Sequence, residues 1–273
     1  MENAPTPEVI RRESVWLSVV IPLRNEAQNV ESLIREIDRA LAESGAYEVV
    51  CIDDGSSDAT PDLLARLADE FPRLRPLRHA TSAGQSTAVS SGVLAARGGW
   101  IATLDGDGQN DPADLLPMLA VARAERERGG GPILVAGRRR RRRDSWAKRM
   151  ASQVANAIRS RILGDATADT GCGLKVFERD AFLGVPHFDH MHRFLPALFL
   201  RQGGRVISVD VNHRERRGGR SNYGVFDRLW VGIVDLLGVW WLKRRACRAT
   251  AVPLESSTNS RLPLASSPSA ATR

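Results

Sequence analysis

The chain has 273 residues, 42% of them apolar, and its 39 lysines and arginines against 32 aspartates and glutamates give a formal charge of +7. That length can bury one substantial core plus tails, while the charge admits nucleic acid, an anionic membrane or phosphorylated substrates and selects none of them. Cys51, Cys172 and Cys247 form no CxxC pair, so neither a disulfide framework nor a zinc site is supported and a reducing cytosol fits; residues 1–14 hold Glu2, Glu8, Arg11, Arg12 and Glu13 with no apolar run, unlike a secretory signal.

Residues 1–14 read as a flexible lead to an α/β domain over residues 15–224. Apolar runs predict strands at Leu17–Ile21, Tyr47–Ile52, Trp100–Leu104, Ile133–Ala136 and Val206–Val211, and amphipathic stretches between the first four predict helices. The clearest helices are Asn29–Ala42, with Val30, Leu33, Ile34, Ile37 and Leu41 at helical spacing, and Pro61–Phe71, opened by a proline. Crossovers of that length imply parallel strands, hence a mostly parallel central sheet flanked by helices.

Gly129–Pro132 breaks the charged helix before the fourth strand, and the run Arg138–Arg143 follows that strand. A second long helix is expected over Ser145–Leu163, where Trp146, Met150, Val154, Ile158 and Ile162 recur every four residues as a core stripe. Residues 225–248 read as an amphipathic helix with a basic end: Phe226–Leu242 is apolar but interrupted by Asp227, Arg228 and Asp235. It is short of the roughly 20 apolar residues that span a bilayer. Its tryptophans, followed by Lys243, Arg244, Arg245 and Arg248, suit an interfacial helix on anionic lipid; a helix packed on the core or a partner is the alternative. Residues 249–273, rich in Ser, Thr, Ala and Pro without periodicity, read as a disordered tail.

Ligands of an open parallel sheet bind beyond the carboxyl ends of its strands, and there this sequence is acidic. The first strand ends in Pro22-Leu23-Arg24-Asn25-Glu26, the second in Asp53-Asp54-Gly55-Ser56-Ser57-Asp58, the third in Asp105-Gly106-Asp107-Gly108-Gln109. Carboxylates crowded on one rim repel unless something positive lies between them, and a hard divalent cation with oxygen ligands supplies that charge. One Asp-Asp pair alone would be a solvated turn; three clusters point to function. An EF-hand starting at Asp105 would need Gly and Glu where Asn110 and Leu116 stand, and neither GxGxxG nor GxxxxGK occurs.

These three clusters, in this order, resemble family 2 glycosyltransferases of the GT-A, nucleotide-diphospho-sugar transferase fold. Asp169-Thr170-Gly171-Cys172-Gly173-Leu174-Lys175 and Arg217-Gly218-Gly219-Arg220-Ser221-Asn222-Tyr223 are similar to the polyprenyl-phosphate branch, related to dolichyl-phosphate mannose synthases. The resemblance covers about Leu17–Leu242. It implies that Pro22, Asn25, Glu26, Asp53, Asp54 and Ser56 line the nucleotide-sugar pocket and that Asp105, Asp107 and Gln109 hold Mg²⁺ or Mn²⁺ on the donor diphosphate. It implies further that Arg138, Lys148, Arg149 and Ser152 receive the acceptor phosphate while Arg217, Arg220 and Ser221 close over the diphosphate as a loop. The expected enzyme is an inverting, metal-dependent transferase that moves a sugar from a UDP- or GDP-linked donor to polyprenyl phosphate, peripheral on the inner face of the cytoplasmic membrane.

A phosphate acceptor is already anionic and needs no general base. A saccharide or protein hydroxyl would need one, for which Asp169 is the candidate. Arg139–Arg143 departs from the mannose synthase pattern and reads as a solvated charge run or a contact for anionic headgroups; His190 and His192 read as structural, with a catalytic or metal role behind. A nucleic-acid-binding module would account for the basic charge, but acidic strand ends oppose a polyanion, and no nucleic acid is expected as partner.

Overall fold

The computed structural model describes residues 15–139, 159–165, 167, 169–214 and 225–245, with backbone alone over 225–231. The terminal segments 1–14 and 249–273, most of the helix expected over 145–163, and Lys148, Arg149, Ser152, Arg217, Arg220 and Ser221 lie outside those residues; 159–163 are helical as expected.

Seven strands form one sheet: β1 Leu17–Leu23, β2 Tyr47–Asp53, β3 Leu74–Arg78, β4 Trp100–Thr103, β5 Ile133–Arg139, β6 Lys175–Glu178 and β7 Arg205–Val211. Their order is β3-β2-β1-β4-β6-β5-β7, and all neighbours are parallel except that β6 runs antiparallel to both β4 and β5. The helices are α1 Val30–Leu41, α2 Thr60–Glu70, α3 Gln85–Ala95, α4 Leu115–Glu127, α5 Arg179–Leu183, α6 Leu195–Arg201 and α7 Val225–Arg244.

The alternation of side chains along each strand divides the core in two. Leu17, Val19, Ile21 and Leu23 of β1 pack with Leu33, Ile34 and Ile37 of α1 and Met118 and Leu119 of α4. Val20, with Val50 and Ile52 of β2, packs on the other side with Val89 and Val93 of α3 and with Phe177, Phe182 and Phe199. Parallel strands covered on both faces are apolar at nearly every position, which is why β1 and β2 stand out in the sequence. α3 gives no such signal: it is built of small residues, and a Cβ on Gly92 would lie 2.4 Å from Val20 Cγ1, so this helix lies unusually close to the sheet.

Chain order reverses direction at β1, which has β2 on one side and β4 on the other, so the crevice of a doubly wound sheet falls between the ends of β1 and β4. Because β6 is antiparallel, with Lys175 opposite Thr103, its lead-in Asp169–Leu174 arrives at that same rim.

α7 packs with one side only. Val239 is buried, Arg201 Nε donates to Leu242 O at 2.9 Å, and Lys243 Nζ donates to Leu163 O. The opposite side leaves Ile233, Val234, Leu237 and Trp241 between 42% and 56% exposed, above Arg244 and Arg245. Asp235, which a lipid-spanning helix would have to bury in hydrocarbon, faces the protein and meets His190 Nδ1 at 3.3 Å. Among the described residues no helix is long and apolar enough to cross a membrane.

Candidate active site

The loops after β1 and β2 are stitched together. Asn25 adopts a left-handed conformation (φ 56°); its N–H donates to Ser56 Oγ at 2.9 Å and its Oδ1 accepts from Ser57 N–H at 2.8 Å. Glu26 N–H donates to Thr60 Oγ1 at 3.0 Å, and Asn29 Nδ2 donates to Glu26 at 2.7 Å. Pro22 lies on β1 beside Ile52. Asp53 is buried, accepts from Ser56 N–H at 3.1 Å and pairs with Arg78 Nε at 3.0 Å. Asp54 accepts from His79 Nδ1, Ser82 Oγ and the N–H groups of Ala83 and Gly84, all within 2.9 Å. Burial by itself would raise the Asp54 pKa, but these four bonds together hold it below the usual carboxylate range. The carboxylate thus fixes the 79–84 turn that leads into α3.

Asp105 and Asp107 follow β4 on the other side of the crevice. Asp105 N–H donates to Asn110 Oδ1 at 3.1 Å, Gln85 Nε2 donates to Asp105 Oδ1 at 3.0 Å, and Gln109 N–H donates to Asp107 Oδ1 at 3.1 Å. Gly173 is the floor under Asp105: a Cβ there would lie 2.2 Å from the carboxylate carbon, and Thr103 Oγ1 holds the Gly173 carbonyl at 2.7 Å. Burial raises the Asp105 pKa and Asp107 raises it further, against the pull of Lys175 and Arg139. Two carboxylates kept close in spite of that repulsion suit a divalent cation. Among the described residues no three His, Cys, Asp or Glu side chains converge on one point; a pair of carboxylates completed by substrate phosphates is how Mg²⁺ is usually held. The side-chain amide of Gln109 is turned toward Arg214 O, 3.5 Å away, so only its oxygen is left to serve as a ligand.

The basic side of the rim corrects the sequence reading. β5 continues past Ala136 to Arg139, paired with β7 as far as Val211, so Arg138 and Arg139 point to opposite faces. Arg138, expected at the acceptor phosphate, is exposed and donates from Nε to Asp210 at 2.6 Å. Arg139, expected in a solvated charge run, is turned inward and grips both oxygens of Asp169 at 2.7 and 2.8 Å. Asp169, the candidate base, is thereby engaged in a bidentate ion pair, which favours a structural part for it over that of a proton acceptor. Lys175 is buried behind Asp105, with its ammonium on the Cys172 carbonyl and its pKa lowered by burial against the attraction of Asp105 and Asp169. Nothing in the sequence marks Lys175 as an internal counter-charge.

His213 and Arg214, just after β7, are fastened to the acidic loop and α1: Asn110 bridges His213, Arg214 N–H donates to Gln109 O at 2.9 Å, and Arg214 pairs with Glu36 and Asp111. On the opposite wall His190, left-handed at φ 60°, meets Asp235, and His192 Nδ1 lies 2.7 Å from Ser86 Oγ.

A family model described as "Glycosyl transferase family 2" matches residues 18–184, most of the sheet and all three acidic clusters. The chain belongs to glycosyl transferase family 2. This family 2 glycosyltransferase is 34% identical over 240 residues to a dodecaprenyl-phosphate galacturonate synthase of Rhizobium johnstonii, covering 86% of this chain and 70% of that one. It is 32% identical over 212 residues to an undecaprenyl-phosphate 4-deoxy-4-formamido-L-arabinose transferase of Edwardsiella ictaluri, covering 77% of this chain and 63% of the relative's length. Its fold is similar to that of glucosyl-3-phosphoglycerate synthase from Mycobacterium tuberculosis, solved with Mn²⁺ and UDP (TM-score 0.61, 20% identity, 88% of this chain and 83% of that one). A mannosyltransferase from Pyrobaculum calidifontis, solved with GDP-Man and Mn²⁺, is also similar (TM-score 0.57, 22% identity, 86% and 65%). The fold is thus the GT-A fold of sugar-nucleotide transferases, and the expectation of a glycosyltransferase holds.

Proposed function

We propose that this glycosyltransferase moves a sugar, with inversion, from a UDP- or GDP-linked donor to polyprenyl phosphate at the inner face of the cytoplasmic membrane. In this reading residues 15–224 are the catalytic domain and 225–248 the membrane-facing helix. Asn25, Glu26, Asp53 and Ser56 frame the nucleoside, with Asp54 bracing that wall, and Asp105 and Asp107 hold Mg²⁺ or Mn²⁺. The cation, when bound, neutralises charge that builds on the diphosphate as the glycosidic bond breaks. The chain's own part is to hold Asp105 against Gly173 and Gln85; a second phosphate would be met by cations such as the exposed Arg138.

The observation that carries the choice of acceptor is the Arg139–Asp169 pair. A hydroxyl acceptor needs a base, and the carboxylate proposed for it is committed to a guanidinium; a phosphate acceptor needs cations and no base. The polyprenyl-phosphate names of both curated relatives agree with this reading. The exposed apolar side of α7, ending in Arg244 and Arg245, supports the membrane surface.

The test is a donor panel. The purified chain, given undecaprenyl phosphate in detergent, Mn²⁺ and a set of UDP- and GDP-sugars including UDP-galacturonic acid, is expected to form one lipid-linked sugar and to stop on chelation. Transfer to soluble saccharides in preference to the lipid phosphate would overturn the acceptor assignment. Absence of transfer from every donor, with an active control enzyme alongside, would overturn the whole reading.

A further inference from the structure

We propose that His192 donates a hydrogen bond through Nε2 to an oxygen of the donor sugar, and thereby helps to select which sugar is transferred; the inference rests on the sugar-nucleotide part of the proposed function and is independent of the acceptor. The argument is one of proton placement. His192 sits, half-buried, in the 3₁₀ turn Met191–Arg193 packed against α3. Its own N–H donates to Ser86 Oγ at 3.3 Å, and that oxygen lies 2.7 Å from Nδ1. A serine hydroxyl has one proton to give, and among the described residues Nδ1 is the one acceptor bonded to it. We assign the Ser86 hydroxyl as donor to Nδ1, which then carries no hydrogen.

The ring is also uncharged. Burial, reinforced by the positive charges of Lys175, Arg193 and His190, pushes its pKa down to about 3. A neutral imidazole that is bare at Nδ1 holds its hydrogen on Nε2. Among the described residues no group accepts that hydrogen. The fold has thus fixed one tautomer and left its donor unused.

The location gives the donor its partner. Ser86 follows Gln85, whose amide bonds Asp105, and Lys175 acts electrostatically on both Asp105 and His192. His192 is thus tied through Ser86 to the start of α3, whose Gln85 reaches the acidic pair, and the proposal directs its Nε2–H at the hydroxyl or carboxylate oxygens of a sugar linked to a metal-bound diphosphate. A site built to hydrogen-bond a substrate oxygen rejects an analogue lacking it, because its own polar group is then left unpaired.

The test uses the full chain with Mn²⁺ and titration calorimetry against UDP, GDP, UDP-glucose, UDP-galacturonic acid, UDP-N-acetylglucosamine and GDP-mannose. His192→Asn keeps an oxygen near Ser86 but has no donor at the far edge of the ring. His192→Gln reaches that edge with its amide nitrogen. We expect His192→Asn to lose about tenfold in affinity for the tightest-binding sugar nucleotide while binding the parent diphosphate as the wild type does, and His192→Gln to keep most of the sugar-dependent affinity. Equal binding of sugar nucleotides by wild type and His192→Asn overturns the inference alone, as does an equal loss for the bare diphosphate. If His192→Asn proves unfolded by thermal melting, His192→Gln decides: sugar-dependent affinity within threefold of wild type supports the donor role and loss of it refutes it. Binding of no sugar nucleotide by the wild type would remove the proposed function together with this inference.

Discussion

Gly173→Ala separates the geometry of the acidic pair from the stability of the fold. The new methyl would lie 2.2 Å from the Asp105 carboxylate carbon and 2.2 and 2.4 Å from its oxygens, about 1.2 Å short of the 3.4 Å at which ordinary contact begins. The neighbour that must move is the end of a side chain, while the Gly173 carbonyl is held by Thr103 and the backbone is set by β6. The displacement should therefore fall on Asp105 rather than on the sheet. A misplacement of about 1 Å in a positioned catalytic group costs on the order of 10²-fold in rate, or about 2.7 kcal/mol of transition-state stabilisation. Transfer from the donor identified in the panel should drop by that factor at saturating Mn²⁺, while the thermal midpoint moves by no more than a few degrees. Gly99→Ala is the control: a Cβ there meets nothing within 4 Å, and both readouts should match the wild type. Full turnover by Gly173→Ala would show that Asp105 need not occupy its observed place, and the metal assignment would fail.

Arg139→Ala leaves the nearly buried Asp169 carboxylate without its guanidinium, which should destabilise the chain by about 3 kcal/mol in urea unfolding; Arg139→Ala/Asp169→Ala should recover part of that loss, and its failure to do so would mean the pair is not coupled. His192 contributes to the pH dependence of stability with a defined sign. Its folded pKa of about 3 lies below its ordinary 6.5, so the unfolded chain binds the extra proton first and stability falls as pH drops from about 6.5 toward 3; the wild-type profile should steepen relative to His192→Asn in that window, and parallel profiles would contradict the buried neutral ring. On α7, Leu237→Glu/Trp241→Glu alters two exposed side chains, so melting should be unchanged. Sedimentation with vesicles containing phosphatidylglycerol should fall by roughly tenfold for each side chain withdrawn from the interface, and unchanged sedimentation would favour a protein partner for that face.

What the sequence revealed and what it hid follow from packing. β1 and β2 are legible because both faces are covered and all positions but Ser18, Glu48 and Asp53 are apolar. β3, at the sheet edge, reads LRPLR, and its two arginines mask it. β6 is four residues long with Lys175 and Glu178 at its ends, and its antiparallel direction breaks the parallel pattern expected from the crossovers. α3 escapes periodicity because its close approach to the sheet demands small residues on most of its surface. In the site, Asp105 and Asp107 were legible from a contiguous motif. Arg139, Lys175 and Gln85 were not, since each matters through a partner 20 to 70 residues away that only the folded chain brings near: Asp169, Asp105 and the rim between them. Arginines look like loop and end β5 at Ala136 in the sequence, whereas its pairing with β7 carries it three residues further.

The Arg139–Asp169 clasp closes the mouth of an excursion: the chain leaves the sheet at the end of β5 and comes back at Asp169, just ahead of β6. Between those two ends the chain is held a second time, at Leu163, which is buried in the core and whose carbonyl accepts from Lys243 of α7. The clasp thereby ties the end of β5 to the lead-in of β6, and with it the Gly173 floor on which Asp105 rests, so the outer strands and the acidic loop share one braced corner.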